Sequence, residues 1–188
     1  MSDANRLLMD QALEGLVPRL EAAQPKCGAT AVIAIDGRSG SGKTFLADRL
    51  VDACGAQIIR LEDLYGGWDG LDAGVDRAAD ALNSIASGID PVSVPEFNWQ
   101  TQQWDEPRVL APSPLLIIEG CGAGASELAQ WTSLLICVES DSETRKDRAQ
   151  TRPDWPVFAD HWDGWAAQEA AHIAASSVES RADVVVSN

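Results

Sequence analysis

The stretch that most constrains this 188-residue chain is residues 31–46, AVIAIDGRSGSGKTFL. An apolar run ends at Asp36, a loop with three glycines follows, and the chain reads Lys43-Thr44 before a helical pattern begins. Gly37, Gly42, Lys43 and Thr44 satisfy the spacing G-x-x-x-x-G-K-[ST], in which each position has a task in holding phosphate. Glycine lets the backbone curl so that its amide N–H groups face one concave nest, where side chains would block an anion. The helix starting near Gly42 adds unpaired N–H groups and the positive end of its dipole. Arg38, Ser39, Gly40 and Ser41 in the loop, with the first helical residues through Phe45, complete a candidate nucleotide-binding segment. Within it Lys43 can reach terminal phosphates, and the Thr44 hydroxyl can ligate Mg²⁺. The setting suits the loop, because Ala31 to Ile35 reads as a strand and Phe45 to Ala53 as a helix.

A formal net charge of −15 argues against nucleic acid or an anionic membrane surface as a partner. A chain this acidic that handles phosphate must concentrate positive charge locally. Arg38 and Lys43 lie in the loop, and Arg145, Lys146, Arg148 and Arg152 form a second cluster, read either as a solvated helix face or as phosphate contacts. Cys27, Cys54, Cys121 and Cys137 show no C-x-x-C spacing, which suits reduced thiols in a cytoplasmic protein better than a metal site. The N-terminal segment, residues 1–23, has apolar residues at helical spacing (Leu7, Leu8, Leu13, Leu16, Leu20) among charges throughout. It reads as an amphipathic helix rather than a signal peptide.

Short β-branched runs alternate with helical stretches, the pattern of a parallel sheet covered on both faces. Strands are expected at residues 30–36, 57–61, 115–119, 134–138 and 183–186. Helices are expected near 43–53, 74–87, 124–131, 141–151 and 160–176, all within a single domain. Residues 91–114 break the alternation with five prolines and two tryptophans, and predict an extended excursion or hairpin off the end of the sheet. Such excursions near the carboxyl ends of strands line the ligand crevice.

Phosphoryl transfer needs positioning, charge neutralisation and a group to orient the attacking hydroxyl. Glu62 and Asp63 leave the second strand as the chain enters a Gly-rich loop; either could accept the hydroxyl proton, with Tyr65 and Trp68 walling the acceptor. An acidic turn capping the next helix is the plainer alternative. Glu119 ends the run PLLIIEG, where contact with Mg²⁺ is feasible. Trp68, Trp99, Trp104, Trp155 and Trp162 could stack on a flat base or simply pack, and His161 and His172 read as surface or helix-face residues.

The succession IDGRSGSGKT, LEDLYGGWDGLD, LLIIEG and ESDSETRKDRAQTRPD resembles the landmarks of the uridine kinase and phosphoribulokinase group of P-loop kinases. The resemblance, nearest to small uridine-kinase-like proteins, runs from residue 30 to about 186. It implies a P-loop NTPase fold, a three-layer αβα sandwich whose five-stranded parallel sheet has kinase-type strand order and sets the phosphate-loop strand beside the one ending at Glu119. It implies ATP with Mg²⁺ as donor, Thr44 and Glu119 on the metal, and a small-molecule, nucleoside-like acceptor. The family's D-x-F-Y turn carries the catalytic base three residues before its aromatic; here that register gives Glu62, with Asp63 beside it as the alternative. The family's arginine-bearing lid is similar to residues 145–160, which puts Arg145 on the nucleotide and Arg148 and Arg152 on the transferred group. The lid is short, and the usual Arg-Asp pair reads Arg152-Pro153-Asp154. The family's Tyr-Asp pair and His in the excursion correspond to Phe97, Asn98 and Gln102, which lose a hydroxyl and a charge; a site so altered points away from uridine itself. Two other readings remain open at this stage, an ATP-binding regulator without catalysis and a GTPase-like switch, although the chain lacks an N-K-x-D guanine-reading motif.

Overall fold

A computed structural model describes the backbone from Asp3 to Asn188 and the side chains from Gln11 onward. Ala31–Asp36 forms β1, Gln57–Arg60 β2, Leu115–Glu119 β7, Thr132–Glu139 β8 and Val184–Ser187 β9. They make one sheet in the order β2-β7-β1-β8-β9, parallel throughout. Ile35 pairs with Glu119, so the phosphate-loop strand lies beside the strand ending in that carboxylate, as expected.

Alternation along β1 sorts its side chains into two cores. Ile33 and Ile35, wholly buried, face α1 (Asp3–Glu21) and α2 (Lys43–Cys54), where Leu16, Leu20, Leu46 and Leu50 close over them. Val32 and Ala34 face the opposite layer with Leu82 of α3 (Leu71–Ala86) and Trp165 of α6 (Trp162–Ser176). Burying one such branched side chain contributes about 1.5–3 kcal/mol, so the two-sided run anchors the loop that follows it. Of the N-terminal apolar stripe, Leu13, Leu16 and Leu20 are buried, whereas the side chains of Leu7 and Leu8 lie outside the described residues. No helix among the described residues is long and apolar enough to cross a membrane.

The expected excursion is present as two nested antiparallel pairs, β3 (Val92–Val94) with β6 (Arg108–Leu110) and β4 (Phe97–Asn98) with β5 (Gln103–Trp104). After β8 come α4 (Ser142–Gln150), α5 (Trp155–Phe158) and α6, with α7 (Val178–Arg181) leading to β9. The helix expected at 124–131 is absent, and only Ser126–Leu128 makes a 3₁₀ turn. The cause is local. Gly122 and Gly124 donate their N–H groups to the buried Asp36 carboxylate, and the segment that follows runs through successive three-residue turns, Leu128 N–H to the Ala125 carbonyl and Trp131 N–H to that of Leu128, instead of helical pairing.

Candidate active site

β1 delivers Asp36 to the mouth of the sheet, and the loop from Gly37 to Gly42 curls over it. Gly40 has φ +81° and Gly42 φ +97°, backbone that side chains rarely adopt. A Cβ on Gly40 would overlap the Arg145 carbonyl, so the loop also needs glycine there for room. The N–H groups of Gly40, Gly42, Lys43 and Thr44 have no acceptor among the described residues, and the Ser41 hydroxyl is buried without a partner. Unclaimed donors at a helix N-terminus form an anion-binding cradle. Lys43 is buried behind it. Burial alone would lower its pKa, but the surrounding negative groups, among them Glu119, Glu169 and Glu62, outweigh that and keep the ammonium charged.

The Thr44 hydroxyl donates to Glu119 Oε1 at 2.9 Å, and Arg60 lies 3.4 Å from Glu119 Oε2. Burial pushes the Glu119 carboxyl up, against the pull of Lys43. A hydroxyl beside a carboxylate at the rim of an anion cradle is the oxygen donor set that suits Mg²⁺ held partly by phosphates. No group of three metal-ligating side chains exists among the described residues, so the protein alone offers no closed metal cage.

A cavity of about 740 Å³ opens in front of the loop, its lining including Ser39, Lys43, Thr44, Glu119, Glu62 and Asp63. Glu62 is exposed and Asp63 half-buried on the 3₁₀ turn Leu61–Asp63 that ends β2. Burial, followed by the charges of Glu62 and Glu96, pushes the Asp63 carboxyl up to about 6. Tyr65, Trp68, Trp99, Phe158 and Trp165 form its aromatic wall. Tyr65 is buried, donates to the Cys121 carbonyl at 2.8 Å and meets Trp165 with ring centroids 4.7 Å apart. Trp68 is sandwiched by its own neighbours, stacked on His161 at 4.5 Å and Phe158 at 5.3 Å.

Several sequence expectations are relocated. Arg145 and Arg148 do not face the cavity. Arg145, buried, donates to the Ser39 carbonyl at 3.2 Å, and Arg148 to those of Gly40 at 3.2 Å and Ser41 at 3.4 Å, both behind the loop. The α4 backbone at Arg145 lies directly against Gly40 of the loop. Arg152 does line the cavity, paired with Asp154 at 2.9 and 2.7 Å. Arg38 and Phe45 also lie outside the lining; the Arg49 guanidinium sits 5.8 Å from the Phe45 ring centre. In the excursion Phe97 is buried between Trp99 and Trp104, and Asn98 accepts from the N–H groups of Gln100 and Thr101, a turn-forming role. Neither lines the cavity, whereas Gln102 does, beside Gln100 and Trp99.

Three buried polar residues escape a motif-based reading. Asp36 accepts from Gly37 N–H at 2.6 Å and Gly124 N–H at 2.7 Å and lies 2.9 Å from His172 Nε2. Of the two placements open to it, His172 thus takes a helix face, the buried one of α6. Glu169 Oε1 accepts from the Ser39 N–H at 2.8 Å, the Ser39 hydroxyl at 2.6 Å and Trp165 Nε1 at 2.9 Å, with the Cys121 thiol 3.0 Å away. Trp165, Glu169, His172 and Ser176 recur at helical spacing on the buried face of α6. That periodic polar face inside an Ala-rich helix is the signal that could have found Glu169 and His172.

Two solved structures align over nearly the whole chain. One is a possible uridine kinase from Bacillus stearothermophilus, 18% identical, covering 94% of this chain and 97% of that one with a TM-score of 0.65. The other is a proposed fructose transport system kinase from Silicibacter sp. TM1040, 21% identical, covering 94% and 98% with a TM-score of 0.62. The fold is that of a P-loop NTPase. No family model and no curated protein matches the chain. Identity this low fixes architecture, and chemistry has to be argued from this chain's own residues.

Proposed function

We propose that this P-loop protein is an ATP-dependent kinase that moves the γ-phosphoryl group to a hydroxyl of a small, nucleoside-like molecule. The observation that carries the reading is that one cavity is lined both by Lys43 and Thr44 of the loop with unclaimed amides and by Asp63, poised near neutral pH. The amides of Gly40, Gly42, Lys43 and Thr44 hold the phosphates, and Thr44 and Glu119 hold Mg²⁺. The bound Mg-ATP supplies the phosphoryl group and neutralises part of its charge. Lys43 and Arg152 oppose the charge that builds on the transferred group, and the aromatic wall keeps water from competing with the acceptor.

Asp63 is the better base of the two carboxylates. A pKa of about 6 leaves it ionised at neutral pH yet a strong enough proton acceptor, and its half-buried position faces the cavity. Glu62, favoured by register with the resembling family, is exposed at the rim. The test is ADP release from Mg-ATP against a panel of nucleosides, sugars and other small alcohols, with Lys43→Ala as the blank. Acceptor-dependent ADP that disappears in the variant is the expected result. ATP binding without acceptor-dependent turnover would instead favour an ATP-binding regulator.

A further inference from the structure

The charges around the acceptor half of the cavity select among acceptors. Lys43 and Arg152 are the basic residues among its described lining, against the carboxylates of Glu62, Asp63, Glu119 and Asp154. Arg152 is already held bidentately by Asp154. The neighbouring cations are engaged elsewhere: Arg60 with Asp48 and Glu119, Arg108 with Glu96 and the Ile58 carbonyl. Arg77 donates to the Leu64 carbonyl and lies 4.6 Å from the Trp104 ring centre. An acceptor carrying phosphate or carboxylate would therefore meet no free cation beyond Lys43, which faces the donor's phosphates.

The opposite charge fits. Glu62 lies in the field of Lys43, Arg60 and Arg152, is exposed, and lines the same cavity as Trp99, whose indole N–H donates to the Glu62 backbone carbonyl at 3.0 Å. Carboxylate plus aromatic face is the chemistry that recognises ammonium and other organic cations. Resting on the kinase reading above, we propose that the acceptor is an alcohol without negative charge, and that a protonated amine or cationic ring on it is held by Glu62 and Trp99. Asp63 remains the neighbour of the reacting hydroxyl. Burial is the first cause of the rise at Asp63 and the charge of Glu62 the second; a cation bound at Glu62 offsets that second contribution, so the bound acceptor makes the base easier to ionise.

Three probes of one shape test this: 4-(aminomethyl)benzyl alcohol, 4-methylbenzyl alcohol and 4-(hydroxymethyl)benzoate, titrated against the tryptophan fluorescence of the full chain with and without Mg-ADP. The amine is expected to bind at least tenfold more tightly than the methyl compound, about 1.4 kcal/mol, and the carboxylate more weakly than either. In Glu62→Gln, an exposed site whose fold is checked by an unchanged far-ultraviolet circular dichroism spectrum, the preference for the amine should shrink to less than threefold. Equal binding of the three, no binding of any, preference for the carboxylate, or an amine preference that survives Glu62→Gln overturns the proposal. Loss of Mg-ADP binding with the order among probes intact would refute the kinase reading instead.

Discussion

Asp63 carries a stability cost that can be measured apart from any activity. Its carboxyl is pushed from an ordinary 3.8 to about 6, first by burial and then by Glu62 and Glu96. The folded protein therefore holds this proton more tightly than the unfolded chain does. The stabilisation from the protonated form is complete below pH 3.8 and is lost as pH rises through about 6. At 1.36 kcal/mol per tenfold change in affinity, the full interval corresponds to about 3 kcal/mol. Asp63 remains partly open to solvent, and screening reduces this to about 1–2 kcal/mol. Asp63→Asn removes the ionisable group while keeping its shape. We expect the variant to be more stable than the parent by about 1–2 kcal/mol at pH 8 and indistinguishable near pH 4, read from urea midpoints at unchanged m-value. The same variant should lose about 10²–10⁴-fold in kcat with an identified acceptor, as removal of a general base does. A gain that does not depend on pH, or no gain at pH 8, would refute the electrostatic account. Collapse of turnover in Glu62→Gln with Asp63→Asn still active would move the base to Glu62.

Glu169→Ala leaves the Ser39 N–H, the Ser39 hydroxyl and the Trp165 indole without their acceptor, and should destabilise by about 3–5 kcal/mol; Glu169→Gln, which keeps an oxygen, should cost about 1–2 kcal/mol in urea unfolding. Gly40→Ala combines a φ of +81° with overlap on the Arg145 carbonyl, and is expected to cost at least about 2 kcal/mol and to abolish nucleotide binding measured by calorimetry. Arg148→Ala should raise KM for ATP roughly tenfold with little change in kcat, since it removes charge-assisted bonds to the loop's carbonyls, whereas Arg152→Ala should lower kcat.

The sheet was legible because each of its strands is a short apolar run followed by a turn, and buried parallel strands leave that trace whatever surrounds them. The loop was legible because glycines at fixed offsets before Lys-Thr meet a backbone requirement that few other structures impose. Residues 124–131 have a composition that permits a helix, yet the chain there takes a series of turns after its first amide, Gly124, is fixed by Asp36, 88 positions away, a contact no local pattern reports. Phe97 and Asn98 were aligned with an acceptor pocket by sequence position, yet a two-residue strand pairing turns Phe97 inward and commits Asn98 to the turn. Contacts between distant segments leave little local trace in a sequence, and the acceptor side consists mostly of such contacts.

The arginines after β8 show how an acidic chain assembles an anion site. In a trans peptide the carbonyl of one residue and the N–H of the next point in opposite directions. Arg145 holds the Ser39 carbonyl on the outer side of the loop, and Arg148 with Asn188 Nδ2 holds that of Ser41. Those same peptide units carry the N–H groups of Gly40 and Gly42, which must then face the cavity. The flanking donors are claimed from the other side, Gly37 N–H by Asp36 and Ser39 N–H by Glu169. What remains unclaimed is the central set of amides where phosphate would sit. Positive side chains here act one step behind the anion: they orient backbone dipoles toward it, and Lys43 is left as the cation in the cradle itself. A chain with a net charge of −15 can in this way present a focused positive site without a basic surface.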